Sequence, residues 1–327
     1  MLSSPRLLAR LITAMAIVAC SNLWAQSELD DATKSLKARN YPAAQALLEK
    51  TLKATPNNAE ALALMGELQL ATRAPEKAVE YADKAIAVDP TKSRYHLLRG
   101  NALGMRAQQV SMLRALTMVG DIRGAYEKAV ELDARSRPAR FALFNFFLIA
   151  PSVAGGGLDK AQSFAEQTAS VDAAASHQMK GQILMRQKKP ESAYAAFKQA
   201  LAADPRLPSI HNSMGYLAIE LKQFDTALEH FQKQAELEPD NANSFDSLAD
   251  GWLAKGKPDE AAAAYRKALA INPLYTSSLR GLGKALEQAG RTQEAIAHYR
   301  HCVQIGTQNS LNSVVSDSKA RLEALGA

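Results

Sequence analysis

The chain has 327 residues, of which 47% are hydrophobic and only 6% are aromatic, and its formal net charge is +6. The hydrophobic residues fall in Ala-rich stretches without the alternation of strands, so the composition favours an all-helical protein over a β-rich one. Acidic and basic residues are mixed along the chain and no basic stripe carries stacking aromatics, so the charge gives no indication of nucleic-acid binding.

The first part of the chain, residues 1–25, differs from the remainder. Arg6 and Arg10 precede an apolar run over residues 11–19, and small residues follow it. This order is typical of a secretory signal peptide, and the run is too short for a membrane-spanning helix with folded flanks. We therefore expect an exported protein from a Gram-negative bacterium.

Two processing routes are open for this segment. Cleavage after Ala25 would leave Gln26 as the first residue of a periplasmic protein. Alternatively, the Ile-Val-Ala-Cys sequence that ends at Cys20 resembles a lipoprotein signal, in which Cys20 is lipidated and the product is an outer-membrane lipoprotein. We favour cleavage after Ala25, because the first repeat starts near Ser27 and a lipid on Cys20 would have almost no tether.

A unit of 34 residues recurs from residue 174 to residue 307. Four kinds of residue return at this interval: a small residue, an alanine, an aromatic residue four positions after the alanine, and a proline. Self-similarity at this period is typical of a stacked array of helical hairpins. The recurring residues are Gly181, Gly215, Ala249 and Gly283; Ala193, Ala227, Ala261 and Ala295; Phe197, Phe231, Tyr265 and Tyr299; and Pro205, Pro239 and Pro273.

These residues resemble the tetratricopeptide repeat, which has small residues, an alanine, an aromatic residue and a proline at these places in its unit. The resemblance implies an all-α fold, a right-handed α-solenoid of about eight tetratricopeptide helical hairpins with a C-terminal capping helix. In each hairpin the small residues let two helices approach closely, and the aromatic side chain fills the gap between them. We expect a signal peptide over 1–25 and a solenoid over 26–327, with repeats near 27–58, 59–92, 93–136, 137–173, 174–207, 208–241, 242–275 and 276–309 and a cap over 310–327.

The third repeat is longer than the others. Gly100 has the regular spacing of 34 residues from Gly66. Ala129, near the end of the second helix, lies about ten residues beyond its regular position. The extra residues lie within 104–121, a stretch rich in Met, Leu and Val without proline. We therefore expect the first helix to lengthen and the turn to move to near Gly120. The apolar side of this extension would pack against the fourth repeat or bind a partner, and internal packing is the favoured interpretation.

The fourth repeat has an apolar first helix and a long loop. Residues 141–149 are apolar on almost every face, which indicates a helix enclosed on several sides. The loop over 150–157 contains Pro151 and three glycines, and a glycine-rich loop before a helix can bind phosphate. However, Leu158 follows Gly157 where a phosphate loop would have lysine and a hydroxyl residue, so we interpret the loop as a structural turn.

A partner-binding groove is implied by the tetratricopeptide resemblance, because such arrays bind a peptide or partner helix along their successive first helices. Asp246 and Asp250 share one helix face, and Arg280 and Lys284 occupy the equivalent positions of the next repeat. These four residues form either a ladder of charge pairs between neighbouring helices or a recognition strip for a partner that carries both charge signs. The groove residues implied by the resemblance are Gln178, Gln182, Asn212, Tyr216, Asp246, Asp250, Arg280 and Lys284.

The strongest metal-like cluster in the sequence is His298, His301 and Cys302. Cys302 lies at a repeat position that requires a small buried residue, and a closed zinc site needs four ligands. No nucleophile elbow, zinc-binding His-Glu-x-x-His helix or paired Cys-x-x-Cys is present. We therefore predict no catalytic, cofactor or metal site.

The remaining histidines suggest packing rather than chemistry. His96 and His211 occupy a packing position of the first helix, and His177 and His230 have no evident partner in the sequence.

The sequence thus predicts a non-enzymatic interaction scaffold in the bacterial periplasm that binds a partner peptide or helix in its concave groove. An alternative is a lipid-anchored envelope assembly factor that uses the 104–121 extension. In either case we expect a protein or peptide partner, no nucleic acid, and membrane contact only if Cys20 is acylated.

Overall fold

The computed structural model describes residues 27–308 and 312–327. The predicted signal peptide, with both of its processing sites at Cys20 and Ala25, lies outside the described residues. All secondary structure within those two ranges is helical, which confirms the predicted all-α fold. The chain divides into two compact units, the first ending at Phe164 and the second running from Ala165 to Ala327.

The helices follow one another as hairpins, each with a first and a second helix joined by a turn. In the first unit they are α1 (27–37), α2 (Tyr41–Ala54), α3 (Ala59–Ala71), α4 (Pro75–Val88), α5 (Ser93–Gln109), α6 (Met112–Leu132) and α7 (Arg137–Ile149), followed by a 3-10 turn at Ser152–Ala154. Helix α8 (Leu158–Thr168) contains the boundary between the units.

The second unit continues the hairpin pattern. Its helices are α9 (Ala173–Arg186), α10 (Pro190–Ala203), α11 (Pro208–Glu220), α12 (Phe224–Leu237), α13 (Ala242–Ala254), α14 (Pro258–Ile271), α15 (Thr276–Gln288), α16 (Thr292–Gln308) and α17 (Asn312–Ala324). Polar caps and prolines fix several helix starts. The Asp172 carboxylate accepts a hydrogen bond from the amide of Ala175 at the start of α9, and Pro190 occupies the first turn of α10.

Close contact between a glycine on the first helix and an aromatic ring on the second holds the hairpins α9–α10, α11–α12 and α15–α16 together. A Cβ atom added to Gly215 would lie 2.6 Å from Cζ of Phe231. A Cβ atom added to Gly181 would lie 2.8 Å from Cζ of Phe197. Both rings are fully buried. The contact therefore requires glycine on the first helix, and the ring fills the space that the missing side chain leaves.

The turns of six hairpins share one backbone conformation. A residue with positive φ follows the first helix at Arg39, Arg73, Lys188, Lys222, Gly256 and Gly290. The first two of these residues are 34 apart, and so are successive members of the last four. The repeat period is thus visible in the backbone as well as in the side chains. In the third repeat, the turn residues Val110 and Ser111 have φ values of −113° and −61°, so this turn is built differently.

The predicted turn near Gly120 in the third repeat is wrong. Helix α5 ends at Gln109 and α6 starts at Met112, so Gly120 lies inside α6. Ser111 precedes the first turn of α6 and is a residue type favoured at that position. Gly100 still packs against Tyr126, so the extra residues lie beyond the Gly100–Tyr126 contact and lengthen both helices. Helices α5 and α6 have 17 and 21 residues, whereas α3 and α4 have 13 and 14.

Polar groups of the glycine-rich loop in the fourth repeat form hydrogen bonds with the adjoining chain. The amide of Gly157 donates to the carbonyl of Phe147 at 2.8 Å, and Lys160 donates to the carbonyl of Gly155 at 3.1 Å. Gly155 has φ +85°, which favours glycine. These contacts are those of a structural turn. The apolar helix before it is only partly enclosed, because Phe144 is buried whereas Ile149 is exposed.

Two glycine substitutions test this account of the hairpins. We expect Gly120→Ala to raise the free energy of unfolding by about 0.5 to 1 kcal/mol, because alanine favours a helix interior. No atom lies within 4 Å of a Cβ built on Gly120. Gly215→Ala should lower it by about 1 to 3 kcal/mol, because the new methyl group collides with Phe231.

Urea unfolding followed by circular dichroism measures both changes. A destabilising Gly120→Ala would contradict a helix that continues through residue 120. An unchanged free energy of unfolding for Gly215→Ala would mean that the two helices can move apart without loss of stability.

Candidate partner-binding groove

A cavity of about 580 Å³ lies in the second unit, among α13, α15 and α17, with Tyr265 of α14 and Tyr299 of α16 also in its wall. We call it the groove cavity. Three of the eight predicted groove residues line it, namely Asp250, Arg280 and Lys284. The complete lining is Asp250, Leu253, Tyr265, Ser277, Arg280, Gly281, Lys284, Glu287, Gln288, Tyr299, Asp317 and Arg321.

Two phenol groups hold the Asp250 carboxylate. Tyr216 donates to Oδ2 of Asp250 at 2.8 Å, and Tyr265 donates to Oδ1 at 2.5 Å. Burial and the neighbouring Asp250 charge raise the pKa of both tyrosines, so they remain protonated donors. The Asp250 carboxylate is therefore already bound by groups of its own chain, one on α11 and one on α14.

Asp246 lies inside the protein rather than on the groove surface. Its side chain is only 4% exposed, and its carboxylate accepts hydrogen bonds from Ser277 Oγ at 3.0 Å and from Ser278 Oγ at 2.6 Å. Burial raises the pKa of Asp246 to about 6, although the hydrogen bonds from the two serines act in the opposite direction. The expectation that Asp246 contacts a partner does not fit this position, because the carboxyl group joins α13 to α15 within the fold.

Two other predicted residues, Asn212 and Gln178, form hydrogen bonds within the second unit. Asn212 Nδ2 donates to Gln234 Oε1 at 3.0 Å and to Ser247 Oγ at 2.7 Å, which ties α11 to α12 and α13. Gln178 Nε2 donates to Ser209 Oγ at 3.4 Å, and Gln182 is half-buried on the same helix, α9. The eight predicted residues are therefore not equally available to a partner, because Asp246 is buried and the Asp250 carboxylate is already bound within the fold.

The predicted ladder of charge pairs between α13 and α15 does not form. Among the described residues, no ion pair joins Asp246 or Asp250 to Arg280 or Lys284. Instead Arg280 Nη1 lies 3.2 Å from Asp317 Oδ2 on α17. Lys284 is exposed and has no ion pair within the described part of the chain. Its ammonium group is available to a partner.

Helix α17 contributes residues that sequence reasoning treated only as part of a solvating cap. Asp317 pairs with Arg280, and Arg321 forms a two-pronged ion pair with Glu287. Arg321 lies 34 residues after Glu287, so α17 keeps the register of a further first helix. That spacing could have identified α17 as a wall of the groove cavity.

A histidine pair elsewhere in the second unit was also missed. The expectation that His230 has no partner is wrong: its Nδ1 lies 3.1 Å from Nδ1 of His211, and its Nε2 lies 2.8 Å from Tyr194 Oη. Burial, followed by the proximity of His211, lowers the pKa of His230 to about 4. The pair is therefore neutral near pH 7 and joins three helices.

The metal-like cluster has a packing role at Cys302. Its thiol is buried, with Sγ 3.5 Å from the carbonyl of Thr276, and it packs with Leu279 and Ile305. Within residues 27–308 and 312–327, no group of three or more His, Cys, Asp or Glu side chains could hold a metal ion.

The buried carboxyl of Asp246 predicts a specific pH dependence. Its folded pKa of about 6 lies above the ordinary value of 3.8, so the folded state holds this proton more tightly and loses stability as pH rises through this interval. Asp246→Asn removes the charge and keeps one of the two acceptor oxygens, so the serine that faces the new amide nitrogen must accept a hydrogen bond instead of donating one. We expect the free energy of unfolding of the variant, relative to that of wild type, to rise by about 2 to 3 kcal/mol between pH 4 and pH 7.

Chemical unfolding at a series of pH values between 4 and 7 measures this difference. Asp240→Asn is the matched control, because Asp240 is exposed, and it should show no such trend. A stability difference between Asp246→Asn and wild type that stays constant from pH 4 to pH 7 would mean that the folded protein holds this proton no more tightly than the unfolded chain does.

Comparison with known proteins identifies the repeats. Profiles described as tetratricopeptide repeat match residues 35–102, 184–249 and 248–310, which together cover more than half of the chain. No curated protein matches the chain at the level of sequence.

Several solved structures are similar to it. A chain of an APC/C hetero-tetramer has a TM-score of 0.52 at 16% identity, over 85% of this chain and 52% of its own. TTC0263, described as a thermophilic TPR protein in Thermus thermophilus, has a TM-score of 0.45 at 20% identity, over 70% of this chain and 99% of its own. YrrB, described as a TPR protein with an unusual peptide-binding site, has a TM-score of 0.30 at 16% identity, over 71% of this chain and 95% of its own.

The hairpins, the glycine–aromatic contacts and the matched profiles agree on one fold class, the α-solenoid built from helical hairpins. The chain belongs to the tetratricopeptide repeat family.

Proposed function

We propose that this protein is a non-enzymatic scaffold that binds a segment of a partner protein in the groove cavity. Tetratricopeptide domains typically bind protein or peptide partners, and proteins of this family are generally scaffolds rather than enzymes. The observation that carries the proposal is the cavity itself, about 580 Å³ in volume and lined by charged side chains of both signs.

The state of each charge indicates which partner group would fit. Asp250 is bound by two phenols, and the Arg280–Asp317 and Arg321–Glu287 pairs satisfy four further charges. Lys284 remains as an exposed ammonium group, and Leu253 lines the same cavity. A partner segment with an acidic group for Lys284 and an apolar side chain for Leu253 would match this surface.

We further propose that the protein is exported to the bacterial periplasm, with cleavage after Ala25. The support is the order of charges, apolar residues and small residues in the first 25 positions. In the part of the chain that the structure describes, no helix is long and apolar enough to cross a membrane.

The mass of the mature amino terminus tests the export proposal. After expression of the full chain in a Gram-negative host, we expect an unmodified chain that begins at Gln26. A diacylated chain that begins at Cys20 would point instead to the lipoprotein route. A product that retains Met1 would contradict export altogether.

Site-specific photo-crosslinking in living cells tests the groove. A photoreactive amino acid at position 284 should crosslink to a defined protein, whereas the same probe at Lys198 should not. Lys198 is an exposed lysine on α10 outside the groove cavity, and among the described residues it also has no ion pair. Once the captured partner is purified, we expect Lys284→Glu to weaken its binding about tenfold, which corresponds to about 1.4 kcal/mol.

Lys198→Glu should leave that affinity unchanged, and both variants should keep the thermal unfolding profile of the wild type. Equal crosslinking at the two positions, or equal affinity of the two charge variants, would place the binding surface outside the groove cavity.

A further inference from the structure

Most of the large apolar side chains that the described part of the first unit exposes lie at the start of α6, at the end of α7 and in the α7–α8 connection. Met112, Leu113 and Leu116 follow the α5–α6 turn and are 81%, 80% and 49% exposed. Ile149 is the last residue of α7 and Val153 lies in the α7–α8 connection, and they are 69% and 95% exposed. We refer to these five side chains as the apolar edge.

The α7–α8 connection packs against α6 near Arg123, about three helical turns after Met112. The 3-10 turn at Ser152–Ala154 contacts α6. A Cβ atom added to Gly155 would meet the guanidinium group of Arg123, which belongs to α6. The α5–α6 turn and the α7–α8 connection each join the first helix of a repeat to its second. In stacked hairpins such turns lie along one side of the array. The five side chains therefore belong to one side of the unit.

The sequence segments around the apolar edge are poor in acidic residues. No Asp or Glu occurs from residue 90 to residue 120, and residues 141–158 contain no charged residue at all. Arg114 lies between Leu113 and Leu116, is exposed, and makes no ion pair among the described residues. The apolar edge thus combines exposed Met, Leu, Ile and Val side chains with a free positive charge.

We propose that the apolar edge inserts into the headgroup region of an anionic lipid bilayer. Shallow burial of Met and Leu side chains, together with attraction between arginine and anionic headgroups, is the usual basis of interfacial binding. The five side chains project from a helix start and a loop, so a fluid surface can accommodate both at once. A second copy of the chain is a poorer occupant, because the Arg114 charges would repel each other across a symmetric contact.

This contact is independent of the groove cavity, which lies in the second unit, and of acylation at Cys20. It provides a membrane interaction that the sequence alone assigned only to an acylated protein. Binding should be reversible and should weaken as salt concentration rises, because one part of the attraction is electrostatic.

A tryptophan placed at the apolar edge tests the proposal in the full chain. Met112→Trp should show a blue-shifted emission on addition of vesicles containing 30% phosphatidylglycerol in phosphatidylcholine, and brominated lipids should quench it. Leu274→Trp is the matched control, an exposed leucine of the second unit, and its emission should not change. Subtraction of the wild-type spectrum removes the signals of Trp24 and Trp252.

The local probe is needed because the apolar run over residues 11–19 could bind vesicles by itself. In the Met112→Trp background, Arg114→Glu should reduce the vesicle-dependent shift at least threefold, and Leu113→Ser with Leu116→Ser should reduce it at least tenfold. Circular dichroism must show that these variants unfold at the temperature of their parent. Because Arg114 is exposed, Arg114→Glu keeps the test decisive if the double serine variant fails to fold.

Two outcomes would overturn the proposal. One is that the emission of the Met112→Trp variant stays unchanged with both anionic and neutral vesicles. The other is a blue shift that appears without lipid and rises with protein concentration, together with a dimer mass by light scattering, which would assign the apolar edge to self-association.

Discussion

The close approach of two helices across a glycine is the constraint on which this structure depends. In four hairpins a glycine of the first helix packs against an aromatic ring of the second, as Gly215 does against Phe231. The same ring can also meet the next hairpin, because a Cβ atom on Gly251 would lie 2.9 Å from Cδ2 of Phe231. One aromatic side chain thus sets the distance within a repeat and the distance to the following repeat. Because hairpins of this kind cannot bury their apolar faces alone, these two distances determine whether the stack is stable.

Most of the fold could be predicted from the sequence, because the determining contacts are local and recur at a fixed interval. The turn of the third repeat could not. Gly120 suggested a helix end, but the space around it is open and nothing requires a glycine there, whereas Ser111 gave the better signal for a helix start. A glycine indicates a turn only where a close contact or a positive φ requires it, and Gly120 has neither.

The groove was harder to predict than the fold, because its residues depend on contacts between side chains of different repeats. Asp246 and Asp250 lie one helical turn apart and look equivalent in the sequence, yet one is buried by two serines of α15 and the other is held by two phenols. The partners of these carboxylates lie 15 to 34 residues away and follow no common spacing. The sequence therefore indicated where charges gather, but not which of them remain available to a partner. Asp317 and Glu287 are paired with Arg280 and Arg321. Lys284 therefore keeps a free ammonium group for a partner.

The longer third hairpin illustrates how a repeat protein can acquire new surface. Its additional turns lie beyond the Gly100–Tyr126 contact, so the register of the neighbouring repeats is kept. Length can therefore be added to or removed from the ends of α5 and α6 as paired helical turns without rebuilding the stack. The same position should accept a foreign helical hairpin, which makes the α5–α6 turn a natural insertion point for an epitope, a second binding module or a reporter domain.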